Sequence, residues 1–384
     1  MQELRLRGYD VDYVLAGGTA TDVTRRHPRQ IQQVGRLLEV SSIYCSSMWR
    51  LEYLVARSDL VLMGTFKGNR TIAELARRYG KLVGRFDHYI DLKHPLNVDF
   101  VAVAGPYFKE LLLQWQPEVN PSDVFVVGSL RFDRAQWPEV RQQTREEFCR
   151  FYRCDPEKKI ALYLTTSPDT MDDWYVEHFR KICDTVRSNL DFTLVIKPHP
   201  ADYAKRRSYR FGGRHSWEIL APDATIVRPE HGYQSFRHCD VGISLASDVS
   251  HEFPLFRRPI VFVNSEGWPR QRRGTDGHPE LKPYWPQSVP SWVGVGCKIE
   301  ELGQVLSTGC YQVTDERRYQ HHISRYCYKN DGLAYRRLAD LVDTIMVTRL
   351  KETSLSSTAW LYAKSLTTRV SRRIRGIVRD SGRS

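Results

Sequence analysis

The chain has 384 residues, 41% of them apolar and 27% charged, and a formal net charge of +12. That length accommodates two domains with separate cores. The composition excludes disordered and collagen-like classes, and no apolar run approaches the roughly 20 residues a membrane-spanning helix needs. The charge points to an anionic partner. Half of it, +6, falls from Lys351 onward, where eight Lys and Arg stand against two acids. Eight scattered cysteines without a C-x2-C pair argue against a zinc site or a disulfide framework. They read as reduced thiols in a cytoplasmic protein, and Met1 is not followed by a signal-peptide pattern.

Met1 to Gly8 reads as the tail of a helix, and Val11–Leu15 as a strand closed by Gly17-Gly18. The first strand and glycine-rich turn of a doubly wound domain would lie ahead of it, so they are expected to be absent or outside this chain. Helical spacing follows over Gln30–Leu38, then a strand over Ser58–Met63 and a helix to Arg78 capped by Thr71 with Glu74. Gly80–Gly84, Asp99–Ala104 and Asp123–Gly128 read as further strands, with a helix over Pro106–Trp115. This alternation predicts a parallel sheet flanked by helices. A charged connector over Gln136–Arg153 leads to a second series. Its strands are Lys159–Leu164, Phe192–Ile196, Thr225–Val227, Val241–Ser244 and Ile260–Val263, with helices over Trp174–Ser188, Ile299–Leu306 and within Asp315–Thr348. In the tail, Leu366, Val370, Ile374 and Ile377 recur at helical spacing among six basic residues, which predicts a basic amphipathic helix on an anionic membrane surface. A solvated tail is the other reading. The expected domains are 1–140, 157–348 and a tail over 349–384.

The chemistry concentrates between Phe192 and Val263. A buried strand stops at Lys197-Pro-His-Pro200, so Lys197 and His199 stand at its carboxyl end and can offer donors or charge to a phosphate. Asp240-Val-Gly-Ile-Ser244 is followed by Ser247-Asp-Val-Ser-His-Glu252, a short helical segment over Phe253–Arg257, and the strand Pro259–Val263. Ligands of open α/β sheets bind beyond the carboxyl ends of strands, so one site is expected to hold both clusters. Ser247 and Ser250 would add hydroxyls at a helix N-terminus, and Glu252 would accept from a ribose diol. The bland alternatives are a proline-ordered loop with His199 capping a backbone carbonyl, and Ser247 or Asp248 as a plain N-cap with Glu252 in the first turn. Asp172-Asp173 starts a helix rather than following a strand, so no metal site is expected.

Ile196-Lys-Pro-His-Pro200, the Ser247–Glu252 turn, Arg258-Pro-Ile-Val-Phe262 and Phe125–Asp133 together resemble the GT-B transferases. The nearest likeness is to the CDP-glycerol glycerophosphotransferases of teichoic-acid synthesis and to bacterial capsule glycosyltransferases. The resemblance implies two Rossmann-like doubly wound domains with a cleft between them, the first short and without its first strand. It implies a CDP- or UDP-linked sugar or polyol donor, a glycan or lipid-linked acceptor, and no cofactor beyond the donor. Lys197, His199, Ser247, Ser250, Glu252 and Arg258 would hold the nucleotide and phosphates, and Asp87 or His88 would serve as base. Asp248 stands where the family has a second serine. Three rival readings are a UDP-sugar 2-epimerase, a degenerate GT-B scaffold, and a basic nucleic-acid-binding protein. The missing glycine pair in the acidic turn speaks against the first, and no nucleic-acid partner is expected because the arginines lack interleaved aromatics.

Overall fold

The computed structural model describes residues 2–16, 41–45, 47–64, 69–87, 97–166, 171, 173–203, 211–212, 214–245, 247–263, 294–312, 315–355 and 372–377. The helix expected over Gln30–Leu38 lies outside them, as does His88. The strands, in chain order, are β1 Tyr9–Ala16, β2 Ser41–Cys45, β3 Leu60–Met63, β4 Leu82–Asp87, β5 Phe100–Val103, β6 Val124–Val126, β7 Lys159–Leu164, β8 Phe192–Lys197, β9 Thr225–Ile226, β10 Val241–Ser244, β11 Ile260–Val263, β12 Gly294–Cys297 and β13 Arg372–Ile377. All pairings are parallel. Among the described residues, no helix is long and apolar enough to cross a membrane.

The chain divides into two compact units, Met1–Asp133 with Ser324–Ser381, and Arg134–Ile323. The connector over Gln136–Arg153 therefore opens the second unit. It forms two helices, Pro138–Arg141 and Arg145–Tyr152, the latter started by a Thr144/Glu147 capping box.

The second unit holds a six-stranded sheet in the order β12-β11-β10-β7-β8-β9. Numbered within the unit, that is the doubly wound order 3-2-1-4-5-6 read from its other end. Its central strands are apolar on both faces: β10 and β11 are buried at every residue, and β7 at all but its first. The helix Asp173–Ser188 lays Tyr175, Phe179, Ile182, Cys183 and Val186 into this core at helical spacing. On β10, Gly242 is where the Phe253 ring sits, since a Cβ there would lie 2.4 Å from it.

The first unit carries a seven-stranded sheet in the order β2-β1-β13-β3-β4-β5-β6. The last helix, Ala334–Leu355, returns to it and buries Leu338, Ala339, Leu341, Val342 and Met346 with Leu4, Tyr9, Leu60 and Phe100. Asp133 caps this helix from two hundred residues away, its carboxylate accepting the Ala334 and Tyr335 N–H groups at 3.1 and 3.0 Å.

Three expectations change here. Thr71 is inside the helix Asn69–Arg78 rather than at its cap. The strand Ser41–Cys45 and the helix Met48–Ala56 were not read from the sequence. Residues 372–377 form β13, not an amphipathic helix, and pair on both sides: Ile374 faces Val11 and Leu60, and Ile377 faces Val14 and Met63. Two ladders of backbone hydrogen bonds outweigh a weak helical periodicity. β13 thus stands between β1 and β3 in the sheet.

Candidate functional site

In the second sheet the strand order reverses between β7 and β10, which makes their carboxyl ends the topological switch point. The residues beyond these ends are Thr165 and Thr166 after β7, His199 after β8, and Ser247 to Glu252 after β10.

The β7 and β8 ends are tied together. The Thr165 N–H donates to the Lys197 carbonyl at 3.2 Å, and the His199 N–H donates to Thr165 Oγ1 at 2.9 Å. Thr166 N–H donates to the hydroxyl of fully buried Tyr175 at 2.8 Å, and Tyr163 donates to the same oxygen at 3.2 Å. Burial pushes both phenols up, so they stay neutral hydrogen-bonding posts. Beyond His199, Asp202 N–H donates to the His199 carbonyl at 2.8 Å. The buried Asp202 carboxylate accepts the backbone N–H and the hydroxyl of Ser216, and burial pushes its pKa up. This web fixes the backbone and leaves the half-buried His199 ring at the strand end.

Lys197 is at the same edge, with its stem passing Gly232 and its ammonium 5.6 Å from the Phe236 ring centroid. A Cβ at Gly232 would come within 3.1 Å of Lys197 Cε, so the glycine leaves room for that stem. The ring face holds the cation by its quadrupole without neutralising it.

After β10, the Ser247 N–H donates to Ser244 Oγ at 2.9 Å. Ser247 precedes a 3-10 helix over Asp248–Phe256, with extended φ −110° and ψ 126°, and its hydroxyl makes no capping hydrogen bond. Ser247 thus occupies the N-cap position without a side-chain capping bond. Glu252 is 1% exposed and is carried beside Phe253, which is wholly buried against Gly242 and the Phe236 ring. Ser250 lies on the same 3-10 helix.

One of the residues expected at the nucleotide, Arg258, stands elsewhere. Arg258 immediately precedes Pro259 and β11, so it lies at the amino edge of the sheet, roughly 10 Å of strand away from the carboxyl ends. Its Nε donates to the Arg237 carbonyl at 3.0 Å, in a cluster with Arg145, which binds Asp240 at 2.9 Å. Asp87 closes β4 in the first unit, at the carboxyl edge of the other sheet. Sequence reading missed Thr165, Thr166 and Tyr175; the signal was a hydroxyl pair directly after a strand buried on both faces. Among the described residues, no three His, Cys, Asp or Glu side chains converge as a metal site.

No protein-family model matches the sequence, and no curated protein matches it. Solved structures do match. The S. aureus MnaA–UDP co-structure superposes with a TM-score of 0.58 at 13% identity, over 88% of this chain and 96% of that one. UDP-GlcNAc 2-epimerase from Neisseria meningitidis bound to UDP-GlcNAc gives 0.55 at 12%, over 88% and 99%. The wall teichoic acid polymerase TagF gives 0.55 at 13%, over 91% of each. With two doubly wound α/β units and these neighbours, the chain has the GT-B fold.

Proposed function

We propose that the protein is a GT-B enzyme that binds a nucleoside-diphosphate-linked donor on its second unit and transfers the sugar or polyol phosphate to an acceptor hydroxyl. The observation that supports this reading is that His199, whose N–H donates to Thr165 Oγ1, and Ser247, whose side chain makes no capping hydrogen bond, both follow carboxyl ends of strands beside the switch point. These groups and the Lys197 ammonium would serve as donors to the leaving group, a nucleoside diphosphate when a sugar is transferred and a nucleoside monophosphate when a polyol phosphate is. Glu252 takes the ribose diol, and Ser250 adds a hydroxyl. Asp87 or His88 takes the proton from the attacking hydroxyl, and the acceptor is a cell-surface glycan or its lipid-linked precursor. No cofactor beyond the donor is invoked.

A second reading within the same fold is a UDP-sugar 2-epimerase, favoured by the two epimerase-type neighbours that carry UDP or UDP-GlcNAc. It would use the same phosphate contacts on unit 2 and differ in the chemistry at the sugar. Calorimetry with CMP, CDP, UMP and UDP on wild type and His199→Ala tests the common core. Micromolar binding of one base family, weakened at least about tenfold in the variant, is the expected outcome. No binding by any of the four sinks both readings and leaves a scaffold. Incubation with UDP-GlcNAc, followed by separation of the C2 epimers, then divides the two enzymes.

A further inference from the structure

The amino edge of the second sheet carries positive charge that the nucleotide groups do not use. Helix Gly232–His238 ends there, just before β10, and the connector helices Pro138–Arg141 and Arg145–Tyr152 pack against it. Four arginines gather at this end. Arg145 is fully engaged: it donates to the His238 and Lys158 carbonyls at 2.6 and 2.9 Å and pairs with Asp240 at 2.9 Å. Arg258 uses only its Nε, on the Arg237 carbonyl at 3.0 Å, and Arg237 one Nη, on the Val140 carbonyl. Exposed Arg141 makes no side-chain hydrogen bond among the described residues, and none of their carboxylates pairs with Arg141, Arg237 or Arg258. The three stand close enough to act on one another: burial first, then the like charges of Arg141 and Arg258, lower the Arg237 pKa. The His238 ring, 5% exposed, feels Arg237, Arg258 and Arg145, and its Nε2 has no hydrogen-bond partner.

We infer that this end of helix Gly232–His238 is a second anion site, where Arg141, Arg237 and Arg258 hold a multivalent oxyanion of the pyrophosphate class. Guanidinium forks match the spacing of phosphate oxygens, and both Arg237 and Arg258 keep Nη donors outside their carbonyl bonds. Three like charges without a counter-ion call for an anion of more than one charge, and a protonated His238 Nε2 gains an acceptor in it. The place is separate from the nucleotide groups. Lys158, Asp240 and Arg258 precede β7, β10 and β11, whereas His199 and Ser247 follow the other ends of β8 and β10, roughly 10 Å of strand away. The inference therefore does not depend on the proposed nucleotide chemistry.

The test is a titration of the full chain with sodium pyrophosphate, followed by NMR through the His238 imidazole signal, at an ionic strength held constant with sodium chloride. Loss of the signal in His238→Gln identifies it. A saturable shift is expected in wild type, and an equal one in His199→Ala, which separates this place from the nucleotide groups. Arg141→Gln removes no hydrogen bond among the described residues and should raise the half-saturating concentration at least about tenfold. Arg141→Glu supplies an internal counter-charge and should abolish the shift. The inference is overturned if pyrophosphate leaves the His238 signal in place, if sodium chloride alone moves it as far, if Arg141→Gln responds as wild type does, or if the shift disappears in His199→Ala.

Discussion

Gly242 links the packing of the second sheet to the placement of the acidic turn, and Gly242→Ala is the perturbation that exposes this link. The added methyl would lie 2.4, 2.7 and 2.9 Å from three atoms of the Phe253 ring, all closer than real contacts allow. The ring has nowhere easy to go, being fully buried with the Phe236 ring 5.0 Å away on its other neighbour. Overpacking of this kind costs about 1–3 kcal/mol, and the absence of free space places this case toward the upper end. Phe253 adjoins Glu252 on the 3-10 helix that starts after Ser247, so the displacement is passed to the groups assigned to the ribose and phosphate. Urea unfolding should report the loss of stability, and calorimetry a nucleotide Kd weakened by about tenfold. Phe253→Leu opens space on its own and costs stability as a cavity. In the double variant the two defects compensate, giving a favourable coupling of about 0.5–3 kcal/mol. Additive single and double variants, or a Gly242→Ala protein as stable as wild type with unchanged Kd, would refute the argument.

Acid should destabilise the second unit through His238. Burial first, and then Arg237, Arg258 and Arg145, push its pKa from 6.5 down to about 4, and its Nε2 has no hydrogen-bond partner. The unfolded chain takes up this proton from about pH 6.5 downward while the folded one does not. Stability contributed by the neutral ring is therefore lost as pH falls from 6.5 to 4 and is level below that. His238→Leu should flatten this part of the stability–pH curve; an unchanged slope assigns the acid sensitivity to other groups. Asp133→Ala strands the Ala334 and Tyr335 N–H groups at the buried start of the last helix and should cost about 1–3 kcal/mol in urea unfolding. Asp133→Asn keeps one acceptor and should lose less; equal losses would mean that the cap is not the cause.

The legible parts of the fold were those whose signal is local. β7, β8, β10 and β11 read as continuous apolar runs because burial on both faces leaves no alternation to decode. The helix Pro106–Trp115 was readable to the residue, with Pro at its first position and no competing signal. His199, Ser247 and Glu252 were singled out because each follows a recognisable strand, and strand ends are where such sheets bind ligands. Arg258, included through the likeness of Arg258-Pro-Ile-Val-Phe262 to the GT-B transferases, stands apart from these strand ends. The 3-10 helix carries the chain back across the sheet, so a residue just before the next parallel strand must stand at the amino edge. Thr165 and Thr166 escaped because their role depends on Tyr175 and Lys197, and no spacing rule connects them.

β13 was invisible for a different reason, which also bears on how the chain folds. A hydrophobic period describes one segment alone, whereas the fate of residues 372–377 is decided by two open strand edges more than three hundred residues away. Closing so long a loop is less costly than its length suggests. Loop entropy grows only as the logarithm of length, so pairing β13 with β1 across some 360 residues costs about 3 kcal/mol more than closing a loop of about 15. Two parallel ladders and the burial of the central sheet can offset that. Among the described residues the second unit ends at Ile323, while the sheet of the first includes Arg372–Ile377. Arg375→Pro, which removes a ladder donor from a strand paired on both sides, should therefore speed hydrogen exchange of the β1 and β3 amides and leave those of β7 and β8 protected; unchanged β1 and β3 amides would refute this.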